Sequence, residues 1–256
     1  VKAAKNILSA AGHAVPACGD FGVTRSVKQE LPGPREAVPV QLAFERLESP
    51  GFSRGEEVNY PEMEKIPRWN REVVITEKVD GTNGLIGVFH IDSPESAAID
   101  HQKYALGHLP LFEEKYVVFA GSKSRWLTPG QDNFGFARFV QERVQEIVRL
   151  LGPGMHRGEF YGKGIQRGYG LDHRRFALFN VAKWRGKELP PEFDVVPVLA
   201  EYDRPTNFSY ELEKLAMNGS KIAPGFDRPE GIVIYHTAAN ALYKATILRD
   251  DQPKGK

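Results

Sequence analysis

From Ile66 onward the chain reads as short apolar runs separated by turns rich in glycine, aspartate and asparagine, the punctuation of a strand-rich fold. Alternating and β-branched runs predict strands over 72–79, 84–91, 115–121, 156–161, 175–184, 194–202, 231–237 and 241–247. Two segments change to helical spacing. Residues 134–151 set Phe136, Phe139, Val140, Val144, Ile147, Val148 and Leu151 on one stripe, closed by Gly152. Residues 207–218 set Phe208, Leu212, Leu215 and Ala216 on one face, with Asn207 as N-cap and Gly219 as the stop. Strands in runs with a few packed helices imply an α+β fold of mainly antiparallel sheets. Residues 1–55 lack this periodicity and are rich in Ala, Gly, Pro and Ser. They read as a poorly specified N-terminal extension with one short helix near Val40 to Leu47, and residues 56–256 as the folded domain.

Composition narrows the classes without choosing among them. The 256 residues suit one large domain or two small ones, and 41% hydrophobic with 26% charged content is ordinary for a soluble globular protein. A formal net charge of +1 points to no partner, so a nucleic-acid surface would have to be local. The single cysteine, Cys18, excludes an internal disulfide and a Cys-rich zinc site, and fits a reducing cytoplasm. No apolar run approaches the roughly 18 residues that span a membrane, and no adequate apolar segment follows the N-terminal lysines to make a signal peptide.

The chemistry concentrates at Ile75-Thr76-Glu77-Lys78-Val79-Asp80-Gly81-Thr82-Asn83-Gly84. A lysine at the end of a buried strand, beside a glycine turn, is placed to be a partly desolvated amine and hence a nucleophile. An unshifted lysine, with a pKa of about 10.4, is only about 0.1% neutral near pH 7.4, so a nucleophilic role needs burial or neighbouring cations. Further along, His156 to Arg167 is a strand running into a glycine-rich loop, with Glu159 among apolar neighbours. That loop fits neither the P-loop nor the dinucleotide fingerprint. In Arg175 to Val181, Phe176 and Phe179 are core residues or, for Phe179, a stacking platform for a purine. Glu230 precedes Gly231 and an apolar strand at the mouth of a sheet, a hard oxygen ligand of the kind a divalent cation takes. Lys244 lies inside another apolar strand, where an anionic phosphate would partner it.

In order and type these pieces resemble the ATP-dependent polynucleotide ligases, most of all the phage RNA ligase 2 type, within the covalent nucleotidyltransferases. The matching segments are Glu77 to Asn83 around Lys78, Gly158-Glu159, Phe176-x-x-Phe179, Glu230-Gly231 and Lys244, together with Gly162-x-Gly164-Ile165-Gln166. The resemblance covers about residues 60 to 250 and implies a nucleotidyltransferase (ATP-grasp-like ligase adenylation) domain. It implies that Lys78 attacks the α-phosphate of ATP and carries AMP, and that Glu159 holds the ribose. Phe179 would stack on adenine, Glu230 would help position Mg²⁺ (or Mn²⁺), and Lys244 would contact the α-phosphate. Glu77, Asp80, Gly81 and Asn83 would complete the nucleotide site. A further basic residue is Lys123 or Arg125, within Gly121-Ser122-Lys123-Ser124-Arg125.

The chain departs from the family's pattern in places. Thr246 stands where a second lysine is usual, Asn180 where aspartate is frequent, and the segment 92–114 reads as an insertion. No appended OB or C-terminal helical domain is expected, which leaves end recognition weaker or shared with an accessory protein. Residues 156–187 carry Arg157, Lys163, Arg167, Arg174, Arg175, Lys183, Arg185 and Lys187 against Glu159 and Asp172, a pattern fitting a phosphate backbone. The expected partner is therefore nucleic acid, as RNA ends or a nicked duplex, acted on by a monomer in the cytoplasm of a bacterial or phage-infected cell. A DNA ligase, a capping-type guanylyltransferase and a nucleotide- or RNA-binding module without sealing activity remain as alternatives.

Overall fold

The computed structural model describes residues 65–248 except 112 and 133. The chain divides into units Val1–Pro61 and Glu62–Lys256, and the described residues belong to the second. The predicted N-terminal extension, with its helix near Val40 to Leu47, lies outside them.

The fold is α+β, built on two sheets. In the smaller sheet β1 (Val73–Lys78) lies between β9 (Val198–Tyr202) and β10 (Gly231–His236), and β11 (Ala241–Thr246) forms the outer edge beyond β10. The larger sheet runs β3 (Gly107–Leu111), β4 (Glu114–Gly121), β2 (Thr82–His90), β6 (Gly154–Gly162), β7 (Arg174–Leu178), β8 (Phe193–Val195), with β5 (Trp126–Leu127) added on β4. Every strand pair is antiparallel except β7 with β8. The turn 79–81 carries the chain from β1 directly into β2, so one turn joins the two sheets.

Alternation gives the larger sheet a core face and a second face. Ile86, Val88, Val118, Ala120, Phe160, Phe176 and Leu178 point to the core and pack on Phe136, Phe139, Val140, Ile147 and Val148. Opposite residues of an antiparallel pair share a face, so Gly84 and Gly158, paired across β2 and β6, leave room there for two rings. A Cβ on Gly84 would stand 2.6 Å from Phe136, and one on Gly158 2.6 Å from Phe176. The smaller sheet buries Val73, Ile75, Ile232 and Ile234 against Leu212 and Leu215 of α6 (Ser209–Asn218).

Several predicted elements change form. The stripe over 134–151 is buried as expected, but the helix is not continuous. It breaks into α3 (Phe136–Gln141), α4 (Val144–Glu146) and a π-helical turn Ile147–Leu151. The break falls at Arg143, whose guanidinium turns back to the Phe139 carbonyl and pairs with Glu192. The predicted strand 175–184 ends at Leu178, because the Asn180 side chain accepts from the Lys183 amide (3.0 Å) and starts α5 (Val181–Trp184). The predicted strand 194–202 splits at Val196-Pro197 into β8 and β9, which enter different sheets. Proline supplies no N–H for a continuous ladder, and the Pro197 carbonyl accepts from Glu77 instead. The segment 92–114 holds α1 (Pro94–Ala97) and α2 (His101–Tyr104), capped by Ser93 and Asp100, before β3. The residue preceding α6 is Phe208 rather than Asn207, although the Asn207 side chain accepts from the Ser209 amide.

Candidate active site

Lys78 ends β1 on the face away from α6. Along the strand Glu77 and Ile75 face α6, while Thr76 and Lys78 face the other way. Register places Gly231 directly opposite Lys78 and Thr246 opposite Gly231. A side chain at 231 has no room, since its Cβ would fall 2.1 Å from the Ala245 carbonyl oxygen. The preceding residue, Glu230, brings its carboxylate to the lysine. Lys78 Nζ donates to Glu230 Oε2 at 2.5 Å, with the two side chains 19% and 7% exposed.

The turn after Lys78 is fixed from two directions. Asp80 donates its amide to the Tyr169 hydroxyl (2.7 Å), and its carboxylate accepts from Arg167 Nε (2.8 Å). Arg167 also donates to the Arg228 carbonyl (3.1 Å). One arginine thus ties the residue two after Lys78 to the residue two before Glu230. Tyr169 is held by ring contacts with Tyr161 and Phe226. On the other side, Glu159 accepts from the Gly81 amide (3.1 Å) and from the Asn83 carboxamide (2.7 Å). Gly81 is needed for that approach, as a Cβ there would lie 2.3 Å from the Phe160 carbonyl oxygen.

Burial pushes the Glu159 carboxyl up to about 7, and the Glu230 charge adds to this. The Asn83 hydrogen bond, the Lys78 charge and the Gly81 amide pull the other way. The Lys78–Glu230 contact and the influence of both charges on Glu159 place the three side chains in one electrostatic cluster.

The other predicted site residues fall at graded distances from this cluster. Asp80, Gly81 and Asn83 belong to it. Phe179 follows β7 on the same sheet face as Glu159, because Ala177 pairs with Glu159 and Phe179 lies two residues on. It is 44% exposed, unlike the fully buried Phe176. Lys244 shares the Lys78 face of the smaller sheet, in register with Val233. It is exposed, not buried as the apolar run suggests, because β11 is an edge strand whose Leu242 and Tyr243 are also exposed. Lys123 and Arg125 occupy the exposed turn between β4 and β5, closed by the Ser122 amide to the Arg125 carbonyl (2.8 Å). Arg125 reaches the Gln131 carbonyl. Glu77 is separate from the cluster. Its carboxylate accepts from the Ser220 hydroxyl (2.6 Å) and the amides of Lys221 (2.7 Å) and Ile222 (3.0 Å), anchoring the loop after α6.

Sequence reasoning missed Tyr169 and Arg228, and gave Arg167 no individual role. The available signal was the glycine-dense loop 162–170, where an aromatic with a polar tip and an arginine sit among residues of positive φ. Among the described residues no group of three or more His, Cys, Asp or Glu side chains is arranged to hold a metal ion. Nor is any described helix long and apolar enough to cross a membrane.

Known proteins can be set against this geometry. Structures of a Naegleria gruberi RNA ligase are similar to the chain at low identity. A lysine-to-alanine mutant with ATP and manganese is 15% identical, covers 69% of this chain and 50% of its own, and has a TM-score of 0.43. A glutamate-to-alanine mutant with ATP and manganese gives 15%, 70%, 50% and 0.44. The chain therefore spans about half the length of these proteins. No curated protein matches the sequence. The RNA ligase family model matches residues 71–246, more than half of the 256 residues and the whole of the cluster described above. The chain belongs to the RNA ligase family.

Proposed function

We propose that the protein is an ATP-dependent RNA ligase that joins 5′-phosphate and 3′-hydroxyl ends through a lysyl-AMP intermediate. The observation that carries this reading is the placement of Lys78. Its amine is largely buried at a strand end, in contact with Glu230 and within the field of Glu159. In the first step the Lys78 nitrogen, once its proton has left, attacks the α-phosphorus of ATP. A P–N bond forms, the bond to pyrophosphate breaks, and the lysine carries AMP. AMP then passes to the 5′-phosphate of the nucleic acid, and attack by a 3′-hydroxyl releases it as the strands join.

Glu159 holds the ribose in this scheme, through acceptor capacity left beside the Gly81 and Asn83 donors. Phe179 offers an exposed ring on the same face for adenine. Lys244, on the lysine face of the smaller sheet, meets the α-phosphate, and Thr246 lies in the row of Lys78. Lys123 or Arg125 supplies further positive charge from the β4–β5 turn. The solved Naegleria proteins carry ATP or AMP with manganese, and the donor set here suits a magnesium or manganese ion that arrives with the nucleotide. One or two carboxylates, Glu230 foremost, are the hard oxygen donors such an ion shares with substrate phosphates and water. When bound, it neutralises phosphate charge. The RNA partner meets an outward basic surface in this reading. Arg167, Arg175 and Arg185 are engaged by Asp80, Asp194 and Glu201, whereas Arg157, Lys163, Arg174, Lys183 and Lys187 are exposed.

Incubation with α-labelled ATP and a divalent cation tests the first step, with label read on the denatured protein. Label from ATP is expected, absent in Lys78→Ala and Glu230→Ala and weakened in Phe179→Ala. Absence of label in the wild-type protein from either ATP or GTP would overturn the enzyme reading, and label from GTP alone would make it a capping-type enzyme. Pre-adenylated RNA ends then test sealing apart from adenylation.

A further inference from the structure

We infer that a cleft between α3 and the loop after β6 binds a phosphodiester of the RNA strand whose end Lys78 activates. The inference rests on the ligase reading and adds a location to it. The cleft has a volume of about 500 Å³ and is lined by Arg138, Arg143, Lys163, His173 and Arg174 together with Asp132, Glu142 and Glu192. Its floor includes Phe160, which points to the opposite face of β6 from Glu159, so it is separate from the Lys78 cluster.

Partner accounting shows which charges are left over. Arg143 takes both glutamates, through Glu142 and Glu192, and also stacks on Phe139. Asp132 accepts from the Ala137 amide through Oδ2 (2.5 Å) while its buried Oδ1 has no hydrogen-bond partner, and His173 pairs with Asp172 (2.5 Å). Arg174 donates only to neutral carbonyls, those of Phe134 and Lys163. The side chains of Arg138 and Lys163 are exposed and make no hydrogen bond or ion pair with any described residue. Lys163 does help hold the Asp172 carboxyl low, behind the larger effect of His173. Arg138, Lys163 and Arg174 therefore converge on one concavity with Asp132 and Asp172 as incomplete compensation, and an anion is the ligand that relieves their mutual repulsion.

The form of the cleft selects a backbone phosphate. Its two rings, Phe139 and Phe160, are 7% and 0% exposed, so neither is a platform for a base. Contacts limited to phosphate position a strand without reading its sequence. The cleft also adjoins the reactive centre. Lys163 opens the loop whose Arg167 holds Asp80 and whose Tyr169 receives the Asp80 amide. A strand seated against Lys163 and Arg138 thus runs along one side of the loop that fixes the Lys78 turn from the other.

The test measures binding of labelled 5′-phosphorylated RNA, single-stranded and as a nicked duplex, against salt concentration. The full chain and its Arg138→Ala, Arg138→Glu and Lys163→Ala variants are compared, using whichever RNA the wild type binds more tightly. Each neutralised cation should weaken binding and lower the slope of log affinity against log salt by about 0.7–0.9, with Arg138→Glu weaker still. Arg149→Glu, an exposed charge change on the π-helical turn outside the cleft, should have a smaller effect than Arg138→Glu. Lysine adenylation from ATP should be unchanged in Arg138→Ala, which also shows that the variant is folded. Equal losses for Arg149→Glu and Arg138→Glu, an unchanged salt slope, or a loss of ATP rather than RNA affinity would each overturn the cleft. Wild-type protein that binds RNA in this way but takes no label would overturn the ligase reading and leave the cleft standing.

Discussion

Two buried glutamates bracket the Lys78 turn in the resemblance to known ligases, and they are held in different ways. Glu77, 1% exposed, is bound by a hydroxyl and two backbone amides of the loop after α6. Glu159, 8% exposed, has one amide and one carboxamide, beside a lysine and a second carboxylate. Donors to Glu77 all come from one loop and fix that loop to β1. Those to Glu159 come from the Lys78 turn and the start of β2, and its raised pKa follows from burial that the two donors do not fully offset. Burial beside a motif is thus no measure of chemistry. In the proposed reading, what separates an anchor from a working carboxylate is where its donors lie and how far they satisfy it.

The largest expected effect breaks the anchor. Glu77→Ala strands the Ser220 hydroxyl and the amides of Lys221 and Ile222, and should cost roughly 3–5 kcal/mol of stability, read by chemical denaturation. Glu77→Gln keeps the shape and one acceptor oxygen, and should cost less while still taking label from ATP at low temperature. A Gln variant as stable as the wild type yet unable to accept AMP would place Glu77 with Glu159 and dissolve the contrast.

The next effect is carried by Glu159 and appears as a pH dependence. A carboxyl whose folded pKa, about 7, lies above its ordinary value of 4.5 binds more protons folded than unfolded between those values. Stability contributed by this group therefore falls as pH rises from about 4.5 to 7, by about 3 kcal/mol as an order of magnitude, and is level above that window. Urea denaturation at pH 5 and pH 8 measures the difference, and Glu159→Gln should remove that component. A pH response identical in the Gln variant would show that Glu159 is charged as easily as an exposed glutamate.

How much of this was legible in the sequence differs between the two carboxylates. The run Val73 to Lys78 and its glycine turn announced the strand and marked Lys78 as a candidate nucleophile, because period-two alternation and a required tight turn are local signals. Glu159 could be singled out among apolar strand neighbours, and Phe179 and Glu230 by their setting beside strands, with their roles implied by the resemblance to known ligases. Nothing local tells that Glu77 meets residues 220–222, since that contact spans about 140 positions and depends on where α6 stops. The same limit hid Arg167 and Tyr169, whose partners lie across the loop. It also hid the break at Arg143, where the apolar stripe persists but the backbone changes form. Exposure of Lys244 followed from strand order rather than from its apolar neighbours.

The smallest effect sharpens the contrast at Asn180, where aspartate is frequent in the resembling family. Its side chain accepts from the Lys183 amide and caps α5 immediately after Phe179. Capping oxygens of Asn and Asp are nearly equivalent, and their loss typically costs about 1 kcal/mol. Asn180→Ala should therefore lose about that much stability, and Asn180→Asp almost none. If Asn180 is an anchor of the Glu77 kind, Asn180→Asp takes label at the wild-type rate. If instead that variant keeps its stability but changes the rate of adenylation or its dependence on ATP concentration, the position acts on the nucleotide beside Phe179. The helix it caps would then be incidental to its role, and closed hydrogen bonding alone would no longer separate structural from working side chains in this site.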